Sequence, residues 1–275
     1  MTSILDTSTG LRESARRTSR PRPLAGPKAG AGSQPDRADA VQGGLADPAL
    51  IAMLGAVAGH RPEAIRRAVR RHPDGGARVV LHQVQMDPVT VDWGPTGQTV
   101  QLDVSAELPL MPYENETNTA YADTAYSGTL WPALLEKGFA ALDTTWSATR
   151  RRTVIERGYT RLDAGWSVWE TAEALAQLTG TRAGVRILHP DTAELTIRYR
   201  LAHHSPILIH TPPTSSPGPE LHRGVWLGHA YELVTVEPTG ANLQLRNPWG
   251  VEHPTISLDA LFDLTGGVII TTVDT

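Results

Sequence analysis

The spacing of apolar residues changes near Gly180, and this change limits the folds that the chain can adopt. Before Gly180, apolar residues recur at helical intervals, most clearly over residues 130–142. After it, the chain breaks into short β-like runs separated by Pro, Gly and Ser. These runs cover residues 195–201, 206–210, 231–236, 242–246 and 268–273. A helix-rich first half and an antiparallel β-rich second half predict an α+β fold with two lobes, residues 41–180 and 181–275.

Asp47 and Pro48 mark the start of the first predicted helix. Asp favours the N-cap position, and Pro favours the first helical position, where its missing N–H removes no hydrogen bond. We therefore expect Asp47 to cap a largely buried helix that begins at Pro48. Further helices are predicted over residues 62–71 and 171–178, and strands over residues 77–84 and 100–104.

Residues 1–40 are rich in Ser, Thr, Arg, Pro, Gly and Ala and contain almost no large apolar residue after Leu11. Such a segment cannot bury enough surface to offset the entropy that it would lose on ordering. We expect a disordered, mildly basic leader over residues 1–40, followed by one folded core over residues 41–275.

The chain has no cysteine among its 275 residues, which excludes disulfides, thiolate metal sites and a cysteine nucleophile. Its net charge is −4 with both signs interspersed, which favours neither a nucleic-acid partner nor an anionic membrane surface. Its start lacks the basic and apolar regions of a secretory signal, and no apolar run reaches the ~18 residues that span a bilayer. A cytoplasmic location is therefore expected.

Three segments carry motifs that occur together in one protein family. They are LWPALLEKGFAAL at residues 130–142, GHAYELV at residues 228–234 and LRNPWG at residues 245–250. In this order and spacing, they resemble the calpain family of cysteine proteases, peptidase family C2. The resemblance covers residues 41–275. It implies a papain-like fold in which a helical N-terminal lobe and an antiparallel β-rich C-terminal lobe share an active-site cleft.

The resemblance also assigns catalytic positions to residues of this sequence. His229 takes the position of the family's general base, and Asn247 takes that of the amide that orients this base. Because the two lie on adjacent predicted strands, we expect their side chains to meet at one end of a sheet. Trp249 is expected to shield their hydrogen bond from water and so to strengthen it.

The sequence departs from the family at the position of the nucleophile. Residues 42–49, QGGLADPA, stand where the family has Gln-Gly-x-Leu-Gly-Asp-Cys-Trp. Gln42 therefore takes the position of the family's oxyanion-hole glutamine, and Pro48 takes that of the cysteine. Proline has neither a nucleophilic side chain nor an N–H for a developing oxyanion, although it preserves the helix start. The fold can survive this replacement, and thiol chemistry cannot.

Four further residues are expected along the cleft, namely Gly165, Trp166, Trp226 and Gly228. The two glycines would let a peptide backbone approach the tryptophans beside them, and core packing is the alternative role for each Trp.

We expect no metal site and no cofactor. His203, His204 and His210 fall in the β-rich half, where adjacent histidines on a strand point to opposite faces, so they do not predict a zinc site. Some members of the calpain family bind calcium through loop carboxylates. No acidic loop in this chain matches those positions, and we assign no calcium ligand.

Three functions are compatible with these features. The first is a catalytically inactive calpain-like pseudoprotease that binds a peptide or protein partner in the former active-site cleft. The second is a divergent enzyme in which His229 acts as an acid or base without a covalent step. The third is a calcium-dependent endopeptidase of the calpain type that works by a route without a thiol. We favour the first, because the partner that His229 would activate is absent.

Overall fold

The structure is a computed structural model. It describes residues 34–73, 75–108, 121–122, 128–145, 158–163, 165–213, 220–222, 224–238 and 242–275. Most of the leader predicted over residues 1–40 therefore lies outside the described residues. Across the part of the chain that is described, no helix combines the length and the apolar character needed to cross a membrane.

Helices and antiparallel strands alternate along the described chain. Seven α-helices lie within these residues: α1 Pro48–His60, α2 Pro62–Ala68, α3 Trp131–Thr145, α4 Tyr159–Asp163, α5 Val168–Thr179, α6 Pro190–Ala202 and α7 Leu258–Thr265. The strands are β1 Val69–Arg71, β2 Ala77–Met86, β3 Trp93–Val104, β4 Ala183–Leu188, β5 Ile207–His210, β6 Glu220–His222, β7 Val225–Trp226, β8 Ala230–Val236, β9 Asn242–Arg246, β10 Thr255–Ser257 and β11 Val268–Val273.

Nine of these strands form one sheet, in the order β1-β2-β3-β4-β11-β5-β8-β9-β10, and β6 and β7 form a separate hairpin. Neighbouring strands in the sheet run antiparallel, for example β5 with β8 and β8 with β9. The α+β class predicted from the sequence is therefore confirmed. The sheet also passes through both predicted halves, because β3 meets β4 where Trp93 pairs with Ala183.

The prediction of a β run over residues 195–201 is wrong, because this segment belongs to helix α6. Its polar and apolar residues alternate and so imitate the period of a strand. The helical spacing is carried instead by Ala193 and Ile197, which are four residues apart and both buried. Pro190 at the first helical position reinforces the helix start.

The helix predicted over residues 62–71 is shorter than expected. Helix α2 ends at Ala68, and the next three residues form β1. Val69 pairs with Val79, and Arg71 pairs with Ala77, on the neighbouring strand β2. Pairing with the next strand along the chain overrides the local helical preference of these residues.

Part of the segment assigned to the leader has a defined structure. A short 3-10 helix spans Arg37–Asp39, and the Asp36 carboxylate caps it by accepting from the Ala38 N–H at 2.8 Å. The Asp39 carboxylate accepts a hydrogen bond from the indole N–H of Trp131 at 2.8 Å, and Ala40 is fully buried. The folded chain therefore begins before the predicted boundary at residue 40.

Helix α1 is the most deeply buried helix among the described residues. All of its residues from Ala49 to Ala58 are buried, so it has no polar face. It packs across β5 and β8 in the middle of the sheet. The close approach to β8 depends on Gly55, because a Cβ at this position would lie 2.9 Å from the side chains of Glu232 and Arg246.

An ion network next to strand β4 leaves no room for a side chain at Gly184. Arg186 donates to Asp92 at 2.6 and 2.9 Å and to Asp274 at 3.0 Å. A Cβ at Gly184 would lie 1.8 Å from the Asp92 carboxylate. We expect Gly184→Ala to lower the free energy of unfolding by roughly 2–3 kcal/mol, because it overpacks the site and displaces Asp92.

Urea denaturation measures this loss. Gly94→Ala is the matched control, because a Cβ at this neighbouring strand position would only make ordinary contacts with Arg182 at 3.8 Å. Equal stabilities of the two variants would contradict the close packing of Gly184 against Asp92.

Candidate functional site

His229 and Asn247 form a buried hydrogen-bonded pair at one end of the sheet. His229 immediately precedes β8, and Asn247 immediately follows its antiparallel neighbour β9, so the strand pairing brings the two together. The distance from His229 Nε2 to Asn247 Oδ1 is 3.0 Å. Since Oδ1 only accepts, Nε2 carries the proton, and Nδ1 of the neutral ring is left as an acceptor.

Thr211 holds the backbone of His229, and sequence reasoning missed this residue. The His229 N–H donates to Thr211 Oγ1 at 2.8 Å, and the Thr211 N–H donates to the His229 carbonyl at 3.0 Å. Thr211 follows β5, a strand that pairs with β8. Nothing in the local sequence signals this role, because a Thr near a strand end is common.

Asn247 is held in place on both sides. Its Oδ1 also accepts from the Trp249 N–H at 3.0 Å, and its own backbone N–H donates to His253 Nδ1 at 3.2 Å. The side chain is fully buried, and its Nδ2 has no hydrogen-bond partner among the described residues. Two donors, the His229 ring N–H and the Trp249 backbone N–H, bond to Oδ1 and so fix the orientation of the Asn247 amide. Its Nδ2 is left without an acceptor among the described residues.

Three aromatic residues surround the pair. The rings of Trp249 and Tyr231 each lie 4.8 Å from the His229 ring, and Trp226 lies 5.6 Å from Trp249. Trp249 is 39% exposed, whereas His229 is only 7% exposed. The Trp249 ring therefore packs against the imidazole and is itself partly exposed, and its shielding of the His–Asn bond stays a prediction.

Burial lowers the pKa of His229 to about 4, and the hydrogen bond to Asn247 opposes this shift. His229 is thus neutral at pH 7. Because its pKa in the folded chain lies below the ordinary value of 6.5, the unfolded chain binds more protons between about pH 4 and pH 6.5. The contribution of His229 to stability is therefore complete above pH 6.5 and is lost as the pH falls toward 4.

Asn247→Asp is expected to raise the pKa of His229 above 6.5, because a carboxylate 3.0 Å from the imidazole would stabilise its charged form. An NMR titration of the His229 ring protons in both proteins measures the change. His210 is the internal control, since it is also buried with a pKa of about 4 but bonds Thr271 instead. A His229 pKa that stays near 4 in the variant would contradict the described pairing.

The segment that leads to Pro48 runs beside the turn that contains Asn247. The Gln42 N–H donates to the Pro248 carbonyl at 2.8 Å. Gly250, with a φ of +78°, lies so close to Val41 that a Cβ at this glycine would be 3.0 Å from the valine side chain. Residues 41–42 are thereby fixed against the turn at 247–250, six residues before helix α1 begins.

The side chain of Gln42 is occupied within its own loop. Its Nε2 donates to the Leu45 carbonyl at 2.6 Å, and its Oε1 is buried without a partner among the described residues. Pro48, at the first position of α1, has no N–H to donate. Gln42 therefore uses one of its two amide N–H donors within its own loop, and Pro48 has none.

The predicted capping role of Asp47 is wrong. Its side chain makes no hydrogen bond to the first turn of α1. The carboxyl is fully buried, and neither of its oxygens has a hydrogen-bond partner among the described residues. The Asp47 backbone, with φ −118° and ψ 47°, lies outside the extended conformation from which a capping side chain reaches the first-turn N–H groups. Burial raises the pKa of Asp47 to about 7.

The four residues expected along the cleft separate into two groups. Gly228 is exposed with a φ of +67°, and it lies beside His229 with Trp226. Gly165, with a φ of +80°, lies instead beside the start of α1, where a Cβ would be 3.6 Å from the Ala46 carbonyl. The rings of Trp166 and Phe139 pack edge to face, with 5.6 Å between their centroids. This contact is the core-packing role that was the alternative for Trp166.

The three histidines that a zinc site would have used do not converge. His203 and His204 lie at the end of α6 rather than on a strand, and His203 stacks on Tyr199 at 4.2 Å. His210 lies in the sheet, where its Nε2 is 2.9 Å from Thr271 Oγ1. Within the described ranges, no group of three or more His, Asp or Glu side chains is placed to hold a metal ion.

A buried His–Asn pair packed against a tryptophan is the arrangement that orients the general base in the cysteine-protease class, and this chain has no thiol. The family model of the calpain family of cysteine proteases matches residues 13–257, and the chain therefore belongs to that family. This match begins and ends earlier than the range of 41–275 predicted from the motifs. No curated protein matches the chain.

Proposed function

We propose that this chain is a catalytically inactive member of the calpain family that binds a peptide or protein segment beside His229. The observation that supports it most strongly is a complete His229–Asn247 pair in a chain that contains no cysteine. Pro48 strengthens the proposal, because it offers neither a nucleophilic side chain nor an N–H to an oxyanion. A site of this kind can bind a peptide without forming a covalent bond to it.

The polar groups of the site match those of an extended peptide. The bond to Asn247 leaves Nδ1 of the neutral His229 as an available acceptor. An extended backbone offers N–H donors and carbonyl acceptors at regular intervals. A backbone N–H of a bound peptide is the donor that would match Nδ1.

The surface around these groups has the apolar character of a recognition site. Trp249 is 39% exposed and Val251 is 54% exposed, on the same turn after β9. Gly228 is exposed beside them and presents no side chain to a nearby backbone. Exposed aromatic residues that flank polar groups are typical of sites at which proteins bind peptides.

The pKa of His229 disfavours the alternative of an enzyme that uses it as an acid or base. General catalysis is most effective when the pKa lies near the working pH, and the pKa of this imidazole is about 4. A neutral acceptor suits binding better than proton transfer. Turnover of a peptide substrate that is lost in His229→Ala would nevertheless establish the alternative.

A peptide array of unstructured sequences, screened with fluorescently labelled protein, tests the proposal. We expect selected peptides to bind and to change the intrinsic tryptophan fluorescence, with about tenfold or greater loss of affinity in Trp249→Ala. Trp169→Ala is the matched control, because Trp169 is 47% exposed on α5 and makes no contact with His229. Equal effects of the two substitutions, or no binding peptide, would contradict the proposal.

A further inference from the structure

The side chain of His253 closes the loop that carries Asn247. This loop joins β9 to β10, and the Leu245 N–H donates to the Pro254 carbonyl at its base, at 2.9 Å. If the antiparallel ladder continued, the Asn247 N–H would next pair with the Glu252 carbonyl. Glu252 instead has a φ of +52°, and the Asn247 N–H donates to His253 Nδ1 at 3.2 Å. The imidazole thus takes the place of a backbone acceptor.

This hydrogen bond fixes where the His253 ring carries its proton. Because Nδ1 accepts from Asn247, the proton of the neutral ring is on Nε2. A second proton can therefore bind only at Nδ1. The charged ring would then point an N–H at the Asn247 N–H, and two donors cannot bond to each other. The bond to Asn247 and the positive charge on His253 exclude each other.

His253 holds Asn247 from outside its own turn. The Trp249 N–H also bonds to Asn247, at Oδ1, but it belongs to the turn that follows β9 and moves with it. From outside this turn, the Gln42 N–H donates to the Pro248 carbonyl at 2.8 Å. The His253 ring provides the corresponding contact to Asn247 itself. Loss of this contact would leave the Asn247 N–H without its acceptor.

We propose that His253 is a positioning residue for Asn247, and that protonation of its ring loosens the His229–Asn247 pair. The neutral ring holds the Asn247 backbone where the side-chain Oδ1 lies 3.0 Å from His229 Nε2. The charged ring opposes the Asn247 N–H and frees this end of the pair. The proposal goes beyond peptide binding, because the pair is positioned in this way whether or not a peptide is bound.

The cations near His253 disfavour its protonation. His253 is exposed and lines a cavity of about 370 Å³ together with Arg37 and Arg246, so solvent protons reach the ring. Partial burial and then the charge of Arg246 lower the pKa of His253 below its ordinary value of 6.5. Arg37 is paired with Glu232 at 2.8 Å, and Asp36 precedes Arg37 as the cap of the short 3-10 helix.

The acids on the other side of the loop favour the charged ring. Glu252 adjoins His253 in the chain and is exposed. The β6–β7 hairpin packs against this part of the loop, where a Cβ at Gly224 would lie 3.3 Å from the Glu252 carbonyl. The Glu220 carboxylate of the hairpin accepts from the Gly224 N–H. Arg223 of the same hairpin lies outside the described residues.

The direction of the pH effect follows from the lowered pKa of His253. Because the unfolded chain binds this proton more readily, the contribution of His253 to stability is complete above pH 6.5 and is lost as the pH falls. His229 stays neutral until the pH approaches 4. Between about pH 5 and about pH 7, the His253 ring therefore changes its charge while the His229 ring does not.

Hydrogen exchange at the N–H groups of Asn247 and Trp249 tests the proposal in the wild type without any peptide. The first N–H reports the bond to His253, and the second reports the position of Asn247 Oδ1. After correction for intrinsic rates, we expect both to lose about fivefold or more of their protection between about pH 7.5 and about pH 5, the size expected for one lost hydrogen bond. The Glu237 N–H, bonded to the Asn242 carbonyl at the other end of β8 and β9, should keep its protection.

His253→Asn separates the hydrogen bond from the charge. The amide oxygen of an asparagine can take the position of Nδ1 and accept from Asn247, and it does not titrate in this range. We expect high protection of Asn247 and Trp249 at both pH values in this variant. His253→Leu has no acceptor and should give low protection at both.

His189→Asn is the matched control. His189 is 71% exposed, and its Nδ1 also accepts from a backbone N–H, that of Asp191 at 3.4 Å, but it lies at the start of α6. This variant should keep the pH dependence of the wild type at Asn247. The same dependence in His253→Asn, or equal protection of wild-type Asn247 at both pH values, would overturn the proposal.

An NMR titration of the wild type provides the test if a variant does not fold. We expect the ring protons of His253 and the amide resonance of Asn247 to change with one common midpoint below pH 6.5, because one proton controls both. Separate midpoints for the two residues would overturn the proposal.

Discussion

Pro48→Cys is expected to react with one equivalent of iodoacetamide and to hydrolyse denatured casein slowly, whereas the wild type does neither. The substitution returns both a thiol and a backbone N–H to the first position of α1, where Pro48 is only partly buried. The His229–Asn247 pair is already assembled. Alkylation followed by mass spectrometry and release of soluble casein fragments measure the two results.

The dependence of this activity on other residues tests the described site. Adding His229→Ala should lower cleavage by about 10²–10⁴-fold, the usual contribution of a general base. Adding Gln42→Ala should change it by less than about threefold, because the Gln42 amide donates to Leu45. A working oxyanion donor would cost about 10²–10³-fold instead. Cleavage that does not depend on His229 would show that the helix start and the imidazole are not aligned.

Glu232→Ala should lower the free energy of unfolding by about 3–5 kcal/mol, the loss that is typical when one partner of a buried ion pair is removed. Glu232 is fully buried on β8, and its carboxylate lies 2.8 Å from the Arg37 guanidinium. It faces Arg246 across the β8–β9 ladder, and Arg246 is only 5% exposed. Removing the acid leaves two guanidinium groups without their buried counter-charge. Because burial raises the pKa of Glu232 to about 7, urea denaturation at pH 8, where the acid is mostly ionised, measures the loss.

Glu194→Ala provides the matched control. Glu194 also pairs with an arginine, Arg198, at 2.7 Å, but this pair is exposed on α6. Exposed pairs contribute less than about 1 kcal/mol because water and salt screen them. Losses of similar size in both variants would show that Glu232 contributes no more than a surface ion pair.

The position of Glu232 also explains why the folded chain begins before residue 40. Arg37 reaches Glu232, and Arg246 donates to the Ala40 carbonyl at 2.6 Å. These contacts fix the segment that continues to Gln42 and to the turn after Asn247. Composition predicted a leader over all of residues 1–40, because the contacts that order its last residues come from strands about 200 residues later in the chain.

Several features were predictable because they depend on local chemistry. Pro at the first helical position predicted the start of α1, and Gly180 predicted the end of α5, where it adopts a left-handed conformation. The short motifs around His229 and Asn247 predicted two neighbouring strands that bring a base and an amide together. The helix α6 was missed, because alternating side chains in the sequence 195–201 do not reveal which of them are buried.

The amino-acid sequence alone determined the family, the placement of His229 and Asn247 next to neighbouring strands and the absence of any thiol, because motifs and residue types are local and explicit. Only the tertiary structure decided what Gln42, Asp47 and Thr211 do. Each of these side chains can make several hydrogen bonds, and the choice among them depends on partners that folding brings near. For Thr211 that partner is the backbone of His229, which lies 18 positions further along the chain.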